Sequence, residues 1–479
     1  MNRENTYRTK SAINNYYKVS VPRKFLERIN TEFVQVKVSK NNISKEFISL
    51  PNSKLTIRKS VRDRLNIQEG DNLDLVFSPV HDLERPEKMF SRKKIDMLYF
   101  VPEKTSKGYN IIVSQFTRNE SKNLRIWCSG STKGVRQIEI KRFIDIDKIG
   151  TLIGQYQAEG EKYLVDGKVV FTNKLLEEHK DFIGSLKALK LNNSLISHQF
   201  LYNSEKLPKN PSFYCKEFQK RIGREITGVF NHDSKGPWIY RTTIRNVIFA
   251  EIVLKMLDSI SSEITDSPQE EDLFVAESYI RKLLTGDGTL DITVPSSSTY
   301  QSPKINLKIA DKDKDSLENY KQILSVLGFH PHISNKECYV RSSCSLQNLI
   351  FLYRIKAFRN NKNWKKLILA ISIVLEGRRY RTYKRFIELR EVSKISSQTI
   401  SENYDVSERA GGEWLNNKVE EGLLSVDREK PYPKLYVLTC EGENLAEALS
   451  DIIKERDKIR SDMGLNDSKK ALEALKRFN

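Results

Sequence analysis

Two stretches decide the reading of this chain: LIGQYQAEG at residues 152–160 and IRKLLTGDG at residues 280–288. The first belongs to a longer run, IGTLIGQYQAEG, in which Gly150, Gly154 and Ala158 recur every four residues and so line one helix face, beside Ile149, Leu152, Ile153 and Tyr156. A face of small residues lets a second helix approach closely. The second stretch supplies that helix: SYIRKLLTGDG ends at Gly288, and an offset of 128 residues aligns Glu159 with Asp287 and Ala158 with Gly286. Each helix ends in a carboxylate followed by a glycine able to take the left-handed C-cap conformation. Packed along those faces, the helices bring two carboxylates to one point, which both the helix macrodipoles and like-charge repulsion oppose. A divalent cation relieves both penalties, and oxygen ligands suit Mg2+ better than zinc. In a chain with 81 Lys+Arg against 62 Asp+Glu, a net charge of +19, the matching chemistry is metal-assisted phosphodiester hydrolysis, which needs no side-chain nucleophile.

These two motifs resemble the signature helices of single-chain, two-motif LAGLIDADG homing endonucleases. The order of elements after each motif carries the same resemblance. After Asp287 come strand patterns at TLDITV and KINLKIA, a helix at residues 312–327 stopped by Gly328, strands at HPHIS and CYVRS, and a helix at residues 345–358. After Glu159 the order recurs: strands EKYLV and KVVFT about an Asp166-Gly167 turn, a helix at residues 175–191, strands SLISHQFLY and WIYRT, and a helix at residues 246–260. The resemblance implies a pseudo-symmetric pair of αββαββα subdomains, at residues 148–262 and 263–362, whose sheets form a saddle over the DNA major groove. It implies Mg2+ held by Glu159 and Asp287 with the carbonyls of Ala158 and Gly286. Basic residues near the acids assist the metal in that family, a role that falls on Arg241 and Arg341, in the matching runs Tyr240-Arg241-Thr242-Thr243 and Val340-Arg341-Ser342-Ser343. Three departures stand out. Lys282 occupies the place of Gly154 and is expected to spoil the tightest helix contact unless it snorkels outward. Residues 203–237 are inserted in the first half, and the first hairpin of the second half is enlarged near residues 295–302.

Upstream, KVSVPRKFLERIN at residues 18–30 and KLTIRKSVRDRLN at residues 54–66 form an approximate repeat at an offset of 36. Each copy reads strand, short basic helix, strand, and the second resembles the swapped-hairpin DNA-binding domains of the SpoVT/AbrB type. Because that family builds a small barrel from two chains, a tandem copy implies a single-chain pseudo-dimer over residues 1–80. Residues 1–64 hold 15 Lys+Arg and 5 Asp+Glu, a surplus of 10, more than half of the chain's total. Charge this dense repels itself unless a polyanion compensates. Arg23, Lys24, Arg28, Arg58, Lys59 and Arg62 are the expected DNA contacts.

Residues 81–147 read as a β-rich connector, with runs such as YNIIVSQF, LRIWCSG and RQIEIKRF. Residues 363–458 resemble a winged helix: a helix, a turn at Asp405-Val406-Ser407, a second helix with Ser407 as N-cap, then a basic hairpin. The groove-facing helix presents Arg409, Gly412, Asn416 and Asn417, and the wing Arg428, Lys430 and Lys434. Gly411 and Gly412 each weaken that helix by about 1 kcal/mol relative to alanine. A charged helical tail occupies residues 459–479.

Composition excludes several classes. The start, MNRENTYRTK, has no apolar core of a leader, and no run approaches a membrane span. Five scattered cysteines suit reduced thiols rather than a disulfide framework, and neither a zinc-site spacing nor a nucleotide-binding glycine loop occurs. The expectation is therefore an α+β multi-domain protein: a small β-barrel-like N-terminal domain, the paired central subdomains and a C-terminal winged helix. It is expected in the cytoplasm, nucleoid-associated, as a monomer or weak homodimer without a nucleotide cofactor. The favoured function is sequence-specific binding of double-stranded DNA with Mg2+-dependent cleavage. A non-cleaving transcriptional regulator on the same scaffold is the alternative, and an RNA maturase a third.

Overall fold

The computed structural model describes residues 7–14, 16–21, 23–27, 34–49, 54–57, 59–80, 82–91, 94–128, 136–161, 167–232, 236–266, 270–293, 304–334, 338–358, 362–376, 386–390, 392, 394–427 and 433–462. The chain divides into two compact units that it crosses repeatedly. One comprises residues 1–146, 161–174 and 183–259, the other residues 147–160, 175–182 and 260–479. Both mix helices with sheets, so the chain is an α+β protein of several sheets. No helix among the described residues is long and apolar enough to cross a membrane.

The first unit opens with the tandem repeat. Copy one contributes β2 (Lys18–Ser20), α1 (Arg23–Leu26) and β3 (Val34–Lys40), and copy two β5 (Lys54–Thr56), α2 (Lys59–Leu65) and β6 (Asn72–Pro79). β2 pairs antiparallel with β5, Val19 opposite Leu55, which are equivalent positions of the repeat, and β3 pairs antiparallel with β6. The copies therefore bond to each other strand for strand. Apolar side chains from both fill one core, with Val19, Phe25, Val36 and Val38 from the first and Leu55, Val61, Leu73 and Phe77 from the second. With β1 (Tyr7–Ala12) and β4 (Ile43–Ser49), the longer strands form a four-stranded sheet in the order β1-β6-β3-β4, and β2-β5 is a separate ribbon. The expected barrel does not close: β1 and β4 are opposite edges of one open sheet. The connector follows as two three-stranded sheets. The order β11-β10-β9 joins Arg136–Lys141, Ser121–Cys128 and Ile111–Arg118, and β12-β8-β7 joins Phe143–Asp145, Lys94–Asp96 and Phe90–Ser91.

The first unit also holds the first central sheet, built from β13 (Lys168–Asn173), β14 (Ile196–Tyr202), β15 (Gly228–Asn231) and β16 (Trp238–Arg245) in the order β13-β16-β14-β15. Phe171, Phe200, Tyr240, Thr242 and Ile244 point to its buried face. The insertion at residues 203–237 is structured, not a plain loop. It supplies α5 (Pro211–Ile222), whose Tyr214 and Phe218 pack on Phe200 and Tyr240, and the edge strand β15, which runs parallel to β14. The predicted strand EKYLV falls at residues 161–165, of which 162–165 lie outside the described residues.

In the second unit the predicted order holds throughout: α7 (Glu270–Gly286), β17 (Gly288–Thr293), β18 (Lys304–Ala310), α8 (Lys314–Val326), β19 (His330–Ser334), β20 (Tyr339–Ser343) and α9 (Leu346–Arg354). The sheet order is β17-β18-β20-β19, all antiparallel. Alternation buries Leu290, Ile292, Ile305, Leu307, Ile309 and Val340 and leaves an opposite face that is mostly polar, with Ala310 and Tyr339 in one row of it. Matching neighbours across the two sheets equates β13 with β18, β16 with β20 and β14 with β19, so β15 is the added strand. The hairpin enlargement at residues 295–302 lies outside the described residues.

After α10 (Lys362–Glu376), the C-terminal part contains α11 (Ser397–Tyr404) and α12 (Glu408–Glu420), joined at Asp405, whose φ of 50° ends α11 in the left-handed conformation. Ser407 caps α12 as predicted, accepting from the Ala410 amide at 3.2 Å. Gly411 is the crossing point of the two helices, since a Cβ there would lie 3.0 Å from the Ser397 carbonyl and 3.2 Å from Ile400 Cβ. Its helix-propensity cost is thus tied to packing. A hairpin of β21 (Leu424–Asp427) and β22 (Leu435–Leu438) follows, and α13 (Cys440–Asp462) runs through residues 458 and 459, where the sequence suggested a boundary.

Candidate metal and nucleic-acid site

The paired acidic helices are α3 (Ile146–Glu159) and α7. Their small faces meet as the spacing predicts. A Cβ on Gly150 would sit 2.6 Å from Ser278 Cβ, and one on Gly154 would sit 2.3 Å from the Tyr279 carbonyl oxygen. At the ends, a Cβ on Gly286 would fall 2.6 Å from Ala158 Cβ and 3.4 Å from Glu159 Oε1. The Glu159 carboxylate therefore lies against the last turn of α7, immediately before Asp287.

The glycines after the two acids serve a different purpose from the one expected. Neither Gly160 nor Gly288 is among the residues with positive φ. The chain turns back so tightly that a Cβ would meet the Tyr156 carbonyl at 2.4 Å or Leu284 Cα at 2.6 Å. Glycine is required by contact, not by a left-handed cap.

Lys282 does not hold the helices apart. Its side chain leaves sideways toward α4 (Leu176–Ala188), is 7% exposed, and donates to Glu178 at 2.9 Å and Asp181 at 2.6 Å. Glu178, 4% exposed, also accepts from Gln155 Nε2 at 2.7 Å. Burying an ammonium with its counter-ion is tolerable when each partner keeps further hydrogen bonds, as both do here. Glu178 and Asp181 carry no motif, and sequence spacing could not have shown that α4 delivers them to Lys282 and to Gln155 of the first motif helix.

At Glu159 the surroundings favour the protonated carboxyl. Burial, the neighbouring Asp287 and then Glu178 push its carboxyl up to about 7. The donors are hard oxygens: two carboxylates and last-turn carbonyls at Ala158 and Gly286, where helix carbonyls lack intrahelical donors. Among the described residues no group of three or more His, Cys, Asp or Glu side chains gathers as a ligand set. Two carboxylates with the remaining positions left to water or phosphate fit Mg2+ and do not fit a structural zinc.

Arg341 and Arg241 occupy equivalent central strands. Arg341 shares a row with Thr289, Lys308 and His332, so its backbone lies about 10 Å across the sheet from Thr289, two strands away. Lys308 is the nearer cation in that row. It pairs with Asp291 at 3.0 Å and lies 4.9 Å from the Tyr339 ring centroid, and sequence reading missed it. Arg241 shares a row with Thr172, Gln199 and Gly228 and pairs with Glu161 at 3.5 Å.

Of the predicted N-terminal contacts, Lys24 and Lys59 are exposed, Arg23 is exposed with Glu27 at 2.7 Å, and Arg62 is half-buried, 4.0 Å from the Tyr17 ring centroid. Arg28 and Arg58 lie outside the described residues. On α12, Arg409 pairs with Glu413 at 3.1 Å and Asn417 is exposed, while Asn416 Oδ1 accepts from Lys434 Nζ at 3.0 Å and from the Tyr436 hydroxyl at 2.9 Å. Arg428 and Lys430 lie outside the described residues.

No protein-family model and no curated protein matches the chain. Among solved structures it is similar to full-length DUF199/WhiA from Thermatoga maritima, at 11% identity and a TM-score of 0.27, over 65% of this chain and 92% of that one. It is also similar to the meganuclease I-SmaMI bound to uncleaveable DNA, at 10% identity and a TM-score of 0.24, over 58% of this chain and 88% of that one. Both likenesses are loose.

Proposed function

We propose that this chain binds double-stranded DNA sequence-specifically and cleaves it with Mg2+, as a LAGLIDADG-type endonuclease flanked by an AbrB-like and a winged-helix DNA-binding module. The observation that carries the reading is the convergence of Glu159 on the last turn of α7 beside Asp287, with its carboxyl raised to about 7 by burial and by the neighbouring carboxylates of Asp287 and Glu178. In this reading Glu159 and Asp287, with the carbonyls of Ala158 and Gly286, hold the ion, which supplies Lewis-acid polarisation of a phosphate oxygen and activation of water. Lys282 and Gln155 engage the Glu178 carboxylate, so the reading assigns the ion to Glu159 and Asp287 and not to Glu178. Lys308 and Arg341 on one sheet, and Arg241 on the other, contact phosphates. The exposed cations of α1 and α2 add affinity without sequence information, while Asn417 on α12 is suited to a base edge. The place of action is the cytoplasm, at the nucleoid.

A second reading, a regulator that binds without cutting, is favoured by one observation: more than half of the positive surplus lies in residues 1–64, apart from the acid pair. One experiment separates the two. The purified chain is incubated with a randomised duplex library and Mg2+, and bound and cleaved ends are sequenced for wild type, Glu159→Gln and Asp287→Asn. Specific cleaved ends that vanish in both variants establish the nuclease. A bound motif without cleaved ends, unchanged in both variants, establishes the regulator, and displacement by structured RNA at lower concentration than by duplex points to the maturase.

A further inference from the structure

The inserted segment ends in an unusual strand. Among the described residues β15 is an outer edge of the first central sheet and its only parallel partner. Two consecutive hydrophobic residues on it, Val229 and Phe230, are 47% and 49% exposed. Edge strands are ordinarily blunted with charge or proline, because exposed apolar side chains there invite unwanted pairing. Register determines where Phe230 points. Phe230 pairs with Leu201, which pairs with Ile239, while the adjacent row runs Gly228, Gln199, Arg241 and Thr172. Partners across a ladder share a side, as do residues two apart on a strand, so Phe230 shares the face of Arg241 and Gln199, opposite the buried aromatic cluster of Phe200 and Tyr240.

The ring is also held in place. A Cβ on Gly228 would meet Phe230 Cε2 at 2.6 Å and Cζ at 2.9 Å, with Gln199 Cγ at 3.7 Å. The missing side chain at Gly228 leaves the ring lying over the strand, against the polar row. The same face carries Lys168 opposite Arg245, and Ser197 and Gln199 as neutral hydrogen-bonding groups. Arg241, paired with Glu161, in the adjacent row, Lys168 and Arg245 at the far end of the face, and an exposed, positioned aromatic at the near end complement a phosphate backbone and a base, whereas an apolar protein partner would not call for cations along that face.

We propose that Phe230 is a stacking platform for a DNA base at the margin of the bound duplex, so that the insertion adds a base-unstacking contact to the sheet. This rests on the DNA-binding reading above. Such a contact costs local unstacking and returns a sequence preference for easily opened steps.

The test uses the full chain and the duplex recovered from the randomised library, with 2-aminopurine substituted at one position at a time. Wild type is expected to brighten or quench the probe at one or two adjacent positions. Phe230→Ala and Phe230→Leu should both lose that signal and bind about 5- to 150-fold more weakly, the range expected for one base–aromatic stack. Phe230→Trp should keep both. The dependence of affinity on salt should be the same in all four proteins, because no cation is removed. Equal affinity and an unchanged probe profile in Phe230→Ala would overturn the proposal while leaving DNA binding intact. So would a self-association lost in Phe230→Ala without any change in DNA affinity, which would assign the edge to a second copy of the chain. Failure of wild type to select any duplex would instead sink the DNA-binding reading itself.

Discussion

The glycine approach between α3 and α7 sets up a test with opposed signs. Gly154→Ala places a methyl 2.3 Å from the Tyr279 carbonyl oxygen and 3.0 Å from Tyr279 Cα, about 1 Å short of ordinary contact. Every atom it meets is backbone, so no rotamer change relieves it. Overpacking costs about 1–3 kcal/mol, and the absence of a yielding side chain puts this site near 3. The alanine recovers about 1 kcal/mol of helix propensity, leaving a net loss of about 2 kcal/mol. Gly184, also within a helix, has nothing within 4 Å of its would-be Cβ. Gly184→Ala should therefore gain about 0.5–1 kcal/mol. Thermal unfolding should shift by about 4–8 °C downward for Gly154→Ala and slightly upward for Gly184→Ala. Amide exchange in peptides covering α3 and α7 should accelerate only in the first variant. Moving the helices apart by about 1 Å also displaces the acids, so any cleavage should fall on the order of 100-fold. If Gly154→Ala is as stable as Gly184→Ala, the helices are not in backbone contact, and the convergence of Glu159 with Asp287 fails with them.

Three further outcomes are expected. Because the folded Glu159 carboxyl sits near 7, above its ordinary 4.5, the folded protein binds that proton more tightly than the unfolded chain. Without divalent cation its contribution is present below about 4.5 and is lost as pH rises through 7, so melting temperature should decline across that window in wild type and not in Glu159→Gln, and Mg2+ should restore it at pH 8. Lys282→Met leaves Glu178 buried without its cation and should cost about 3–5 kcal/mol, with much of the loss recovered in Lys282→Met/Glu178→Gln; an unaltered melting curve for the single variant would remove the ion pair from the account. Ser407→Ala deletes the α12 cap seen at 3.2 Å from the Ala410 amide and should cost about 1 kcal/mol, read as faster exchange confined to the first turn of α12.

Much of the second central half was legible because each of its elements carries its own local signal. Alternation in TLDITV and KINLKIA and the stop at Gly328 specify structure within a few residues, and β17, β18, α8, β19, β20 and α9 follow that order. The tandem repeat was legible for a similar reason, since a repeated strand–helix–strand unit can bury its apolar face against its own copy, and Val19 indeed lies opposite Leu55. Closure of a barrel was not legible, because it depends on whether edge strands β1 and β4 meet, which no local pattern encodes. The inserted β15 was not legible as an element because a four-residue strand is specified by the edge it joins rather than by its own periodicity, whereas α5 did carry local signals in Asn210, Pro211 and Gly223.

By itself the sequence determined the acids and their equivalence: Glu159 and Asp287 at matching ends of two helices, one faced by Gly150, Gly154 and Ala158. Periodicity is enough for that, because side-chain direction in a helix follows from position alone. Only the tertiary structure decided what surrounds them. Lys282 looked like an obstacle along its own helix, yet α4 arrives with Glu178 and Asp181 to take its charge aside. Gly160 and Gly288 looked like left-handed caps, yet contact with the preceding turn is what excludes a side chain there. The raised Glu159 carboxyl depends on burial and on charges brought from α4 and α7, and such through-space terms arise only when distant segments pack together.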